Sequence, residues 1–125
     1  MHKSRLGDLV IDCEGGDIDA HAAFWAAALG RKVEENLKND RYRRLFGRDG
    51  DIGILLQTVD HAPRVHLDIE SDDPDKEVAR LEKLGATIVK KLDRWTVMLA
   101  TSGHRFCVVH PQSSGFEDKA TSWYD

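Results

Sequence analysis

The strongest constraint on the fold of this chain is an internal repeat with a period near 55 residues. A Leu-Gly pair that can end a helix occurs at Leu29-Gly30 and again at Leu84-Gly85. The first strands predicted in each half, near Leu9 and near Arg64, have almost the same offset. Because neither half of a 125-residue chain can fully bury its own helix and sheet faces, we expect the two halves to pair.

The first half predicts one strand, one helix and three further strands. Leu9–Cys13 is apolar and stops at Gly15-Gly16, which is typical of a strand. Asp17 or Asp19 then supplies the N-cap of an alanine-rich helix, and Gly30 ends that helix. The three strands that follow are predicted at Lys32–Asn36, Arg41–Phe46 and Ile52–Gln57.

The second half repeats this order of elements. Arg64–Glu70 alternates polar and apolar residues, which predicts a half-buried strand. Asp73 caps a helix that has Pro74 at its first position, and Gly85 ends it. The buried stripe of this helix is predicted to be Val78, Leu81 and Leu84. The three closing strands are predicted at Thr87–Leu92, Trp95–Ala100 and Arg105–His110.

Two tandem βαβββ modules therefore predict a single α+β domain over residues 1–125. Module one spans about residues 6–58, and module two spans about residues 63–111. The tail, residues 112–125, is polar except for Phe116, Trp123 and Tyr124. Two interpretations of the tail stay open: it is a loose end, or its aromatic residues anchor it over the domain or onto a partner.

Charge and composition exclude several classes of function. The chain has 22 acidic and 18 basic residues, which argues against a protein held on nucleic acid by phosphate contacts. No apolar run approaches the roughly 20 residues that span a bilayer, and no signal peptide is recognisable. Cys13 and Cys107 show no zinc-binding spacing. We expect both to be reduced thiols in a cytoplasmic protein.

The order of these elements resembles the glyoxalase/bleomycin-resistance/extradiol-dioxygenase group, the vicinal oxygen chelate superfamily. The similarity covers roughly residues 6–111, and its nearest match is the glyoxalase-like branch. The segments that carry it are Phe24–Gly30, Val65–Asp73, Leu81–Ala86 and Ser102–Val109. The resemblance implies that each sheet curls into an open half-barrel, that the concave faces enclose a cavity for a small organic molecule, and that the chain forms a homodimer.

The resemblance also implies four positions at which metal-dependent members hold a divalent ion. In this sequence those positions are Asp8, Gln57, His66 and Cys107, and only His66 clearly matches the family's residue type. The glutamate usually found at the position of Cys107 also serves as a proton-transfer base. We therefore expect no resident cofactor, with a divalent metal on atypical ligands as the minor alternative.

Strand alternation assigns side chains to faces. In the fifth strand, the apolar residues Val65, Leu67 and Ile69 are predicted to pack against the helices. His66 and Asp68 are then predicted to face the cavity as a general acid/base pair, since a carboxylate can fix the tautomer of a histidine. The candidate substrate-binding residues are Asp8, Asp12, Tyr42, Arg44, Trp95, Arg105 and Cys107.

The remaining basic residues have less specific interpretations. One group is expected to form a solvated strand face, with attraction of an anionic ligand as the alternative. This group is Lys38, Arg41, Arg43, Arg44 and Arg48. Three histidines outside the predicted cavity, His21, His61 and His104, are predicted to be surface residues.

Three functional hypotheses follow from the residues and the resemblance. The first is a metal-independent isomerase, lyase or dehydratase that uses His66. The second is a non-catalytic protein that sequesters a drug or metabolite, as bleomycin-resistance relatives do. The third is a metal-dependent lyase or dioxygenase with atypical ligands. In each case we expect a small-molecule ligand and no nucleic-acid or membrane partner.

Overall fold

A computed structural model describes residues 1–35 and 41–124 of the chain, so the predicted roles of Asn36 and Lys38 lie outside the described residues. The prediction of an α+β fold with two βαβββ modules is confirmed. The elements are β1 (His2–Glu14), α1 (Ile18–Leu29), β2 (Lys32–Val33), β3 (Tyr42–Phe46), β4 (Gly53–Val59), β5 (Arg64–Ser71), α2 (Pro74–Lys83), β6 (Thr87–Lys91), β7 (Trp95–Leu99), β8 (Arg105–Val109), α3 (Phe116–Lys119) and β9 (Thr121–Trp123).

The chain divides into two compact units. The first unit is Asp8–His66, and the second unit combines Met1–Gly7 with Leu67–Asp125. Strands β1 and β5 each contribute residues to both units, so the units differ from the predicted modules. The organisation as one domain, with its module boundaries, stays a prediction. Within residues 1–35 and 41–124, no helix is long and apolar enough to cross a membrane.

In the first unit, α1 packs on one face of strands ordered β2-β3-β4-β1, in which β1 and β4 are parallel. The side chain of Asp17 accepts a hydrogen bond from the Asp19 amide, and Gly30 ends the helix with φ of 67°. Both predicted helix caps are thereby confirmed. The buried core of this unit consists of Cys13, Ile18, Ala26, Leu45, Ile54 and Leu56.

Strand β1 shows why the polar face of the first unit is distinct from its core. Leu9, Ile11 and Cys13, at alternate positions of the strand, contribute to the core under α1. The alternate positions carry Asp8 and Asp12, and both carboxylates are buried. Because a buried carboxylate is costly unless it accepts hydrogen bonds, the partners of these two residues decide what this face can do.

In the second unit, β5, β8, β7 and β6 lie side by side and α2 packs on them. Asp73 caps α2 by accepting a hydrogen bond from the Lys76 amide, with Pro74 at the first position, as predicted. The buried core consists of Val78, Leu81, Met98 and Val108. The prediction that Leu84 extends the buried stripe is wrong, because α2 ends at Lys83 and the Leu84 side chain is exposed.

Strand β5 contradicts part of the predicted assignment of faces. Val65 is 54% exposed and Leu67 is 43% exposed, so neither packs against a helix as expected. Ile69 does pack against the core under α2. The carboxylates of Asp68 and Glu70 are buried. Alternation separates the two faces of a strand, but it cannot rank their burial, which depends on whether the polar side chains find partners.

The C-terminal residues are anchored, so the interpretation of a loose end is wrong. Strand β9 pairs with the start of β1 in antiparallel register, with Trp123 opposite His2. The indole N–H of Trp123 donates to Ser4 Oγ at 2.8 Å, and the guanidinium of Arg80 stacks over the ring. Phe116 of α3 is buried. This pairing also explains why β1 begins seven residues before its predicted start at Leu9.

A buried carboxylate, Glu77, connects α2 to the same region. Arg80 donates two hydrogen bonds to its oxygens, each at 2.8 Å, and the His2 ring lies 2.8 Å from Oε1. Burial opposes ionisation of Glu77, but hydrogen bonds from Arg80, His2 and Ser4 outweigh it and hold the pKa of this carboxyl below its usual value. The ionised form therefore stabilises the folded state.

Replacing Phe116 with Ala is expected to lower the free energy of unfolding by about 3 kcal/mol, because the ring is buried and leaves a cavity. Urea unfolding followed by circular dichroism measures the change. The matched control is Tyr124→Ala, which removes an exposed ring and should change stability by less than about 0.5 kcal/mol. Equal effects of the two substitutions would show that the C-terminal residues do not contribute to the core.

Replacing Glu77 with Gln is expected to cost about 2 kcal/mol at neutral pH, because Arg80 and His2 lose a charged partner. Since the pKa of Glu77 is lowered on folding, its contribution is complete above the ordinary value of 4.5 and is lost as the pH falls through the folded value. The stability difference between wild type and variant should therefore shrink on acidification. Exposed Glu82→Gln is the control, and a pH-independent difference would contradict the account.

Candidate functional site

The first unit brings together Asp12 of β1 and His66 of β5. Nδ1 of His66 lies 3.0 Å from Oδ2 of Asp12, and both side chains are largely buried. An ionised carboxylate can only accept, so Nδ1 carries the proton and donates it to Asp12. The lone pair of the imidazole then resides on Nε2. The pair thus has a defined tautomer and a defined ring orientation.

Asp12 is held in place from its other side by Gln57. Asp12 and Gln57 are register partners in the parallel pair β1–β4, and Gln57 Nε2 donates to Asp12 Oδ1 at 2.6 Å. Burial favours the neutral acid, but the hydrogen bonds from His66 and Gln57 outweigh it, so the pKa of Asp12 lies below its usual value. Asp12 is therefore ionised at neutral pH and favours a positive charge on the ring of His66.

Arg64 lies beside the Asp12–His66 pair. The sequence did not identify it as a candidate site residue. Its Nε atom is 3.7 Å from Oδ2 of Asp12, and its Nη2 donates to Nε2 of His61 at 3.2 Å. Nδ1 of His61 lies 2.8 Å from the carbonyl oxygen of Ala62. The available signal was strand alternation, since Arg64 is two residues before His66 and shares its face of β5.

The candidate substrate-binding residues Asp8 and Arg44 form an ion pair in the first unit. Arg44 donates to both carboxylate oxygens of Asp8, at 2.7 Å and 3.0 Å. Tyr42 is half-buried and is the register partner of Gln57. Arg44, one residue of the predicted basic group, therefore pairs with the buried carboxylate of Asp8.

The other predicted site residues lie in the second unit. Asp68 is buried and is the register partner of Cys107, which is half-buried. Trp95 is partly exposed, and Arg105 is exposed on β8. His66 donates a hydrogen bond to Asp12, and the predicted pairing of His66 with Asp68 stays a prediction. The predicted roles of these second-unit residues stay predictions.

One of the metal-ligand positions that the resemblance implies in the first unit does not suit a cation. Two of the four ligand positions are Asp8 and Gln57. Both oxygens of Asp8 accept hydrogen bonds from Arg44, whose positive charge would repel a cation. Nε2 of Gln57 donates to Asp12, which leaves Oε1 as the atom of this side chain that could bind an ion.

The chain matches the glyoxalase-like domain family over residues 8–109. Methylmalonyl-CoA epimerase from Mycobacterium tuberculosis is similar in structure, with a TM-score of 0.64 and 18% identity over 86% of this chain and 88% of that chain. A single-residue variant of Streptomyces coelicolor methylmalonyl-CoA epimerase, in complex with 2-nitronate-propionyl-CoA, has a TM-score of 0.61 and 18% identity over 87% of this chain and 98% of that chain.

A glyoxalase/bleomycin resistance protein/dioxygenase superfamily member from Vibrio splendidus 12B01 has a TM-score of 0.52 and 16% identity, over 82% of this chain and 97% of that chain. A comparison with curated proteins found no match. At these identities the similarity to the solved structures is one of fold. The match to the family covers most of the chain, and the chain belongs to the glyoxalase-like domain family.

Proposed function

We propose that this protein binds a small organic molecule and catalyses proton transfer at a carbon atom next to a carbonyl group. His66 is the general acid/base, and Asp12 is its positioning residue. The reaction class is that of an isomerase, lyase or dehydratase. The observation that carries the proposal is the 3.0 Å contact between Nδ1 of His66 and Oδ2 of Asp12. A homodimer and a cytoplasmic location stay predictions.

The geometry of the pair supports proton transfer through Nε2 of His66. With its proton on Nδ1, the ring accepts the substrate proton at Nε2 and becomes an imidazolium. The ionised carboxylate of Asp12 stabilises that cation, and Gln57 keeps the carboxylate in place. Return of the proton from Nε2 to a neighbouring carbon completes an isomerisation, and its transfer to a leaving group completes an elimination. Inversion at the same carbon requires a second acid that delivers a proton to the opposite face.

The structural relatives support the choice of substrate class. Two of the similar structures are named methylmalonyl-CoA epimerases, and one of them contains 2-nitronate-propionyl-CoA. An epimerase inverts one stereocentre, which at a carbon next to a carbonyl proceeds by removal and return of a proton. We therefore take carbonyl compounds with an acidic neighbouring C–H group as the substrates to test first.

The direct test is exchange of that proton with solvent. The protein is incubated in D₂O with methylmalonyl-CoA and a panel of small carbonyl compounds, and loss of the C–H signal is followed by ¹H NMR. We expect His66→Ala to slow exchange by about 10²- to 10⁴-fold, the usual contribution of a positioned general base. His104→Ala is the matched control, because His104 is exposed on a turn of the second unit.

Two results would overturn this proposal. The first is exchange at the same rate in wild type and His66→Ala. The second is saturable binding of a panel compound with no exchange of its proton, which would favour the alternative of a sequestering protein.

The positioning role of Asp12 is tested by Asp12→Asn. We expect a fall in kcat with little change in KM, because the variant loses the charge that stabilises the imidazolium. Loss of that charge also moves the acid limb of the pH–rate profile to lower pH, since protonation of His66 becomes less favourable. Asp60→Asn, at an exposed position, is the control. An unchanged pH profile would assign Asp12 a purely structural role.

A further inference from the structure

We propose that the ligand of this site carries a carboxylate and that the guanidinium of Arg64 binds it. This inference rests on the proposed function, because it names the substrate class of the same site. It makes Arg64 a ligand-binding residue and His61 the residue that holds Arg64 in position.

The contact between Arg64 and Asp12 is looser than the ion pair by which Arg44 neutralises the buried carboxylate of Asp8. Arg44 meets Asp8 with two hydrogen bonds, at 2.7 Å and 3.0 Å. The closest approach of Arg64 to Asp12 is 3.7 Å, beyond hydrogen-bond distance. Asp12 already accepts hydrogen bonds on both oxygens from Gln57 and His66. Stabilisation of Asp12 therefore does not use the donor groups of Arg64.

Most of the hydrogen-bonding capacity of Arg64 is unused within the described chain. A guanidinium has five N–H donors arranged as a planar fork that matches a carboxylate. The hydrogen bond to Nε2 of His61 is the one that Arg64 makes to residues 1–35 and 41–124. The other N–H groups are therefore available to a ligand.

His61 restricts the orientation of this fork. Its Nδ1 donates to the carbonyl oxygen of Ala62, which leaves Nε2 as an acceptor for Nη2 of Arg64. A long side chain that is held before binding loses less conformational entropy when the ligand arrives. The sequence analysis had predicted His61 to be a surface residue without a specific role.

Exposure determines which charge an incoming ligand meets. The Arg64 side chain is 44% exposed, whereas that of Asp12 is 2% exposed. A ligand from solvent can thus contact the guanidinium but not the carboxylate behind it. An anionic group bound to Arg64 would lie beside the His66–Asp12 pair. In the proposed function, the C–H group next to the carbonyl of the substrate must also lie beside this pair, so that His66 can remove its proton. The geometry points to a carboxylate-bearing carbonyl compound as substrate.

The test uses malonate, a dicarboxylate, and malonamide, its neutral counterpart, as probes. Each is titrated into protein labelled with ¹⁵N-arginine, and the Nε–H signal of Arg64 is followed by NMR. We expect a saturable shift with malonate and none with malonamide. By a parallel titration that follows backbone amide signals, Arg64→Gln should weaken malonate binding by roughly 10- to 100-fold. Arg64→Lys keeps the positive charge but lacks the forked N–H donors, so its affinity for malonate should lie between those of the wild type and Arg64→Gln.

Arg48→Gln is the matched control, because Arg48 is an exposed arginine of the same unit and its loss changes the net charge equally. Malonate binding should be unaffected by this substitution. No saturable malonate binding, equal binding to Arg64→Gln, or equal binding of malonamide would each overturn the assignment of Arg64.

His66→Ala separates this inference from the proposed function. If both are correct, His66→Ala binds malonate normally but no longer accelerates proton exchange. If only the assignment of Arg64 fails, Arg64→Gln keeps malonate affinity while exchange still depends on His66. If only the proposed function fails, Arg64 still governs malonate affinity while exchange is insensitive to His66.

Discussion

The candidate site depends on how one buried carboxylate, that of Asp12, keeps its charge. Burial alone would favour the neutral acid, and the donors Gln57 and His66 reverse that preference. Gln57 is available because the parallel register of β1 and β4 places it directly beside Asp12. His66 donates to Asp12 from Nδ1, so the same interaction that stabilises the charge also selects the tautomer. Fold stability and chemical competence thus share one hydrogen-bond network.

Buried carboxylates outside the candidate site are also stabilised by hydrogen-bond donors. Glu77 is buried with Arg80 and His2, and Glu70 of β5 accepts hydrogen bonds from the backbone amides of Gln112 and Ser113. In each case a polar side chain takes a position that a purely apolar core would give to Leu or Val. Each of these carboxylates joins segments that are distant in sequence, so the buried charges help to specify which segments meet.

Local sequence patterns predicted most of the fold, but they could not predict interactions between residues that are distant in sequence. The caps Asp17, Gly30 and Asp73 were recognisable because a cap depends on residues within one turn. The start of β1 and the strand β9 were missed because each is a strand only through pairing with the other. In the site, the sequence indicated Asp12 and His66 as separate candidates, but these residues are 54 positions apart and only tertiary structure pairs them. Alternation placed Arg64 on the same face of β5 as His66, but it could not show that the guanidinium lies near Asp12.

The pairing of β9 with β1 has a consequence for synthesis on the ribosome. The second unit joins residues 1–7 to strand β9, so it cannot be completed until β9 has been translated. The first unit consists of one continuous segment, Asp8–His66, and contains both members of the Asp12–His66 pair. The nascent chain therefore contains both residues of its candidate catalytic pair as soon as His66 has been translated, long before the strand that closes the second unit emerges.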